Sequence, residues 1–126
     1  MPTLLIADPD FHNPIPANLI SNDPRVQVTD VTLSRGHSEG AARTLVAYVD
    51  LAWTATTLAR PRSGEYLLDV FVTYQYAIDP REYPTLHGVV FPWDKLPDRQ
   101  DVPANTSGAD EPVKKIEVRL VLSEIP

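Results

Sequence analysis

Cysteine is absent from this 126-residue chain. Disulfide staples, thiolate nucleophiles and cysteine metal sites are therefore excluded. The lack leans towards a reducing compartment or a particle rather than a disulfide-built secreted domain. Basic charge is also scarce, with 11 Lys and Arg against 17 Asp and Glu and a net charge of −6. A duplex binder carries a basic stripe; here the nearest pairs, Lys114–Lys115 and Arg60/Arg62, are isolated, so no nucleic-acid partner is expected. No segment approaches the roughly 20 apolar residues of a membrane helix, and no membrane partner is expected either. The apolar opening, Pro2–Ala7, is stopped by Asp8-Pro9-Asp10 before it could serve as a signal-peptide core. The expectation is a soluble chain without a signal peptide, cytoplasmic or part of a virion. Asn105-Thr106-Ser107 fits a glycosylation sequon, but without a signal peptide it is read as a chance match.

Glycine is low at 5, whereas proline is high at 13, about twice its average usage. Prolines set between strands make stiff, extended connections. Length fits one domain, able to bury roughly two-thirds of its unfolded surface.

The clearest pattern lies in residues 65–78. Tyr66, Leu68, Val70, Val72, Tyr74, Tyr76 and Ile78 occupy every even position, while Glu65, Asp69, Thr73 and Gln75 fall between them. This alternation predicts a strand with one buried face, on the order of 45 Å long. Residues 113–122 alternate almost as cleanly, with Ile116, Val118, Leu120 and Leu122 facing one way. In 25–35, Val26 and Val28 share one parity and Val31 and Leu33 the other, which predicts a β-bulge near Thr29–Asp30. Residues 41–59 fit a helix or a strand by periodicity; their Thr, Val, Tyr and Trp content favours a strand. The turn Arg60-Pro61-Arg62-Ser63-Gly64 is expected to close a hairpin pairing 41–59 with 65–78. Leu86–Phe91 reads as a short strand stopped by Pro92.

Residues 1–20 hold Pro9, Pro14 and Pro16 and read as an extended N-terminal arm, with 21–126 as a single β domain. Residues 93–112 read as a long proline-rich loop, a length that in compact domains usually serves function or binding. The expected fold is all-β, an antiparallel β-sandwich or open barrel of five to six strands carrying these two appendages.

Four constellations are candidates for function. Gly36-His37-Ser38-Glu39-Gly40 matches the G-x-S-x-G nucleophile elbow, with His87 available as a base. Only 35 residues precede it, too few for the central sheet of such hydrolases, so a surface loop is the preferred reading. Asp8-x-Asp10-x-His12 could offer metal ligands along an extended segment, but turn formation around Pro9 accounts for it and no metal or cofactor is assigned. The carboxylate pairs Asp79/Glu82 and Asp110/Glu111 lie beside prolines in turns and read as solvated. Tyr74, Tyr76, Tyr83 and Trp93 cluster near one strand end and are candidates for a ligand pocket or an interface.

The functional expectation is a non-enzymatic structural subunit, such as a phage-type capsid-decorating or tail-associated protein. Its partners would be protein subunits in a homo-oligomer or hetero-assembly. Docking of an extended arm costs less entropy when proline has stiffened it, so Phe11, Ile15 and Leu19 are the arm residues expected to clasp a neighbour. The alternative is a binding module for a peptide or small ligand at the aromatic end.

Overall fold

The computed structural model describes residues 3–37, 43–78, 81–104 and 111–126. They form strands and turns only: β1 (Thr3–Ala7), β2 (Pro14–Ser21), β3 (Val26–His37), β4 (Arg43–Trp53), β5 (Glu65–Tyr76), β6 (Glu82–Pro92), β7 (Arg99–Pro103) and β8 (Val113–Glu124). Two sheets result, one of order β1-β2-β8-β5-β6 and one of order β3-β4-β7. All pairings are antiparallel except β2 with β8. The class is the expected β-sandwich, with eight strands instead of five or six. No helix among the described residues is long and apolar enough to cross a membrane.

The alternation of β5 does what it predicts as far as Tyr76; Ile78, expected on the same buried face, lies beyond the strand and is 80% exposed. Tyr66, Leu68, Val70, Val72, Tyr74 and Tyr76 are buried and face the second sheet. β8 lies beside β5 and supplies Ile116, Val118, Leu120 and Leu122 to the same core. From the second sheet, Val26, Val31 and Leu33 on β3 and Leu45, Ala47, Val49 and Leu51 on β4 meet them. The bulge falls where the parity of the valines changes, between Val28 and Asp30. It lets Val26 and Val31, five residues apart, point into one core.

Three expectations are corrected. Residues 1–20 are no free arm: β1 and β2 extend the larger sheet, and Ile15, Ala17 and Leu19 are core residues. Pro14 and Pro16 are tolerated because at that point β2 has only β1 as neighbour, its pairing with β8 beginning at Ala17. The side chain of Asn22 then continues the β2 pairing, accepting from the Leu122 amide at 2.9 Å while the Asn22 amide donates to Leu120 at 3.1 Å.

The hairpin between 41–59 and 65–78 does not form either. β4 pairs with β3 and β7, β5 with β8 and β6, so the connection crosses between the sheets. Both strands bury one full face, and facing each other across the core satisfies both. Leu58 is buried in the crossing, and the Tyr66 hydroxyl donates to the Ala59 carbonyl at 2.5 Å. Finally, the loop 93–112 contains β7, which adds to β4 through Arg99–Pro103. Trp53 Nε1 donates to Pro97 at 2.9 Å and holds the approach to it.

Candidate functional site

The sequence candidates are dispersed by the fold. Tyr74 and Tyr76 are core residues, 0% and 1% exposed. Burial, with Tyr76 close by, pushes the Tyr74 hydroxyl well above the usual tyrosine range; it reaches across the sandwich to the Val102 carbonyl at 3.4 Å. Tyr83 packs edge-on against Tyr76, ring centroids 5.5 Å apart. Trp93 follows the far end of β6, next to Gly64. The four aromatics therefore line no common pocket. A second aromatic group, Trp53, Tyr66 and Phe91, packs inside the opposite end.

Of the arm residues, Ile15 and Leu19 are buried in this chain's own core, and Phe11 lies against the Arg35 guanidinium at 5.5 Å. Neither Ile15 nor Leu19 is presented to a neighbour.

Asp8 and Asp10 turn out to serve an ion pair. Arg35 donates from Nη2 to Asp8 Oδ2 at 2.9 Å and from Nε to Oδ1 at 3.2 Å, and a second Nη2 bond reaches the Glu111 carbonyl at 2.8 Å. Asp10 stands 3.5 Å from Nε. The Val113 and Asp10 amides donate to the Asp8 carboxylate at 3.1 and 3.2 Å. Burial alone would raise the Asp8 carboxyl; these donors outweigh it and hold the group below the ordinary carboxylate range. His12 closes the turn with φ of 54° and an amide bond to the Asp8 carbonyl. The cluster ties the β1–β2 turn to β3 and β8. Among the described residues, no group of His, Asp and Glu is placed to hold a metal.

Ser38, Asp79 and Asp110, and with them the elbow motif and both carboxylate pairs, lie outside the described residues, as does the sequon. His87 sits on the inner face of β6, opposite Val70.

A feature that the sequence reading did not single out is the open side of β6. Among the described residues the sheet edges are β1, β6, β3 and β7. β1 and β7 are five residues each. β3 carries the bulge and charged Asp30 and Arg35, devices that blunt an edge. β6 has 11 residues, and between Glu82 and Asp94 no Lys, Arg, Asp or Glu interrupts it.

The backbone orientation of β6 follows from its neighbours. The Trp93 amide donates to the Gly64 carbonyl at 3.0 Å, and the Glu65 carbonyl accepts from Ile125 on the β8 side at 3.1 Å. Antiparallel alternation then turns the odd-numbered residues of β6 towards β5 and the even-numbered ones outward. Pro84 and Pro92 occupy outward positions, where no ladder donor is lost. Leu86, Gly88 and Val90 present their amides and carbonyls to the open side. Their side-chain face is the outer one: Leu86 is 57% and Val90 56% exposed, with Phe71 beside Leu86 and Leu67 beside Val90 on β5. At Gly88 a Cβ would stand 3.3 Å from Asp69 Oδ1, so glycine keeps the middle of this strip flat.

Against this fold, comparison with known proteins gives no match: no protein family, curated protein or solved structure resembles the chain.

Proposed function

We propose that this chain is a non-enzymatic assembly subunit that joins a larger protein particle through the open edge and outer face of β6. The observation that carries the reading is the long edge strand, free of Lys, Arg, Asp and Glu from Tyr83 to Pro92, with Leu86 and Val90 more than half exposed. Long, flat, apolar edges template pairing with another chain, and proteins that remain single blunt them. The blunting devices present on β3 are missing on β6. Covering a half-exposed Leu or Val contributes about 1 kcal/mol, and main-chain pairing along the edge adds direction to it. A capsid-decorating or tail-associated subunit of a phage-type particle is the proposed setting.

The reading is tested in the cells or particles that naturally hold the protein, by sizing native extracts and locating the chain by antibody. The expected result is a high-mass fraction that Leu86→Lys with Val90→Lys releases. A chain that elutes at or near its own mass with the natural sequence refutes the reading.

A further inference from the structure

We infer that the partner strand at this edge is β6 of a second copy of the same chain, paired antiparallel about a two-fold axis at Gly88. The inference rests on the assembly reading above and names the first contact within it.

The argument is self-complementarity. Centring the pairing on Gly88 sets Leu86 opposite Val90 of the second copy, and Pro84 opposite its Pro92. The pairs Leu86–Val90, Gly88–Gly88 and Val90–Leu86 all consist of outward-facing residues, so each exchanges both hydrogen bonds. The prolines, equally spaced about the glycine, meet each other. Neither has an amide to offer, and the Pro92 carbonyl is already taken by the Lys95 amide at 3.0 Å. Sliding the strands by one step sets Pro84 against Val90 or Pro92 against Leu86, and each slip separates Leu86 from Val90 of the second copy. The prolines bound the paired segment at both ends, and the Leu86–Val90 pairs select the alignment.

Charge and shape agree. Each copy carries a net charge of −6, which disfavours approach over most faces; the strip from Tyr83 to Trp93 has no Asp or Glu of its own, and the carboxylate beside it at Gly88 is that of Asp69 on β5. On the outer face the alignment continues the row Leu67–Val90 of one copy into Leu86–Phe71 of the other. Two such rows, related by the axis, each cross four strands and flank a middle row in which the two Gly88 residues lie between the Asp69 side chains of the two copies.

Size sets the expected affinity. An edge of 11 residues is roughly 37 Å long at about 3.4 Å per residue. A strip one strand wide then buries on the order of 500 Å² per copy, below the roughly 800 Å² of a standard interface. The dimer is accordingly expected to form in the micromolar range.

The test is light scattering and sedimentation equilibrium on the purified full chain from about 1 to 300 µM, bracketing that range. The wild type is expected to move from 14.0 kDa to twice that mass. The amides of Leu86, Gly88 and Val90 should gain hydrogen-exchange protection over the same range, a readout that needs no variant. Leu86→Lys/Val90→Lys and Leu86→Glu/Val90→Glu place like charges opposite each other across the axis. Each alone is expected to stay at 14.0 kDa, and their equimolar mixture to regain the double mass. A wild type fixed at the single mass, a dimer indifferent to these substitutions, or variants that do not pair when mixed would each overturn the inference. A single-copy protein that still sits in a high-mass fraction of native extracts loses only the self-pairing and points to a foreign strand at β6. A purified dimer that is nothing larger in those extracts loses the assembly reading instead.

Discussion

Removing the Asp8 carboxylate tests what fastens the N-terminal strands to the sandwich. The side chains of Asp8 and Arg35 are 0% and 1% exposed, so this pair belongs to the buried class, where loss of one partner leaves a charge stranded. Such losses cost about 3–5 kcal/mol. In Asp8→Ala, Arg35 retains the Glu111 carbonyl at 2.8 Å and Asp10 at 3.5 Å, which places the charge term near the lower end. The Val113 amide loses its acceptor in a buried position, adding about 1 kcal/mol or more. The expected loss is about 4 kcal/mol, a large share of a total of about 5–15 kcal/mol. With a urea slope of about 2 kcal/mol/M, the midpoint falls by about 2 M. Fluorescence of Trp53 and Trp93 reports the transition.

Two further measurements separate this account from a generic core defect. The double variant Asp8→Leu/Arg35→Met removes both charges, and it should cost much less than the sum of the single changes. The pH dependence supplies the second. The folded carboxyl lies below its unfolded value, so its stabilisation is complete above the unfolded pKa of about 3.9 and disappears as pH falls through the folded one. Wild type and Asp8→Ala should therefore differ by a constant amount near neutrality and converge in acid below about pH 4. A loss under about 1 kcal/mol, or additive single changes, would show that the pair behaves as an exposed ion pair and would refute the reasoning.

Three other outcomes are expected. Gly64 has φ of 78° and nothing closer than Trp93 Cδ1 at 4.0 Å to an added Cβ; Gly64→Ala should cost about 1–2 kcal/mol in urea unfolding through backbone strain alone. Deleting residues 1–20 uncovers Ile116 and Val118 along β8 and should abolish the cooperative unfolding transition; a truncated chain that keeps it would mean β1 and β2 are dispensable. Leu86→Lys/Val90→Lys alters only exposed positions of β6 and should leave the unfolding free energy of the dilute protein in urea unchanged within about 0.5 kcal/mol.

How much was legible in the sequence depended on whether a strand's side chains carried the signal. β5 and β8 were legible because each buries one whole face, and the bulge because the valines of β3 change parity across it. β7 was not, since Arg99, Gln100, Asp101, Val102 and Pro103 include one core residue, Val102, too few for a period to show. β2 reads as part of an extended arm because Pro14 and Pro16 withhold ladder donors; whether such a segment joins a sheet depends on how many neighbours it has at that point. The pairing of β4 across the core rather than beside β5 is a tertiary choice that alternation cannot express, since both arrangements bury the same faces. Likewise, Tyr74, Tyr76, Tyr83 and Trp93 are near in sequence, but β6 carries Trp93 away by the length of an 11-residue strand.

The β6 edge shows the same dependence from the opposite side. Read from the sequence alone, Pro84 and Pro92 confine the strand to Leu86–Phe91. With β5 in place they fall on the outward parity, cost the sheet nothing, and leave three donors between them. Prolines usually protect an edge by removing donors along it. Placed symmetrically about a glycine they do something narrower: they limit hydrogen bonding at the ends, permit it in the middle, and let the strand's own antiparallel image set Leu86 against Val90 on both sides of the glycine. A strand from another protein could meet the same three donors, so what favours a second copy is the apolar pairing of Leu86 with Val90 on both sides of the axis rather than main-chain geometry alone.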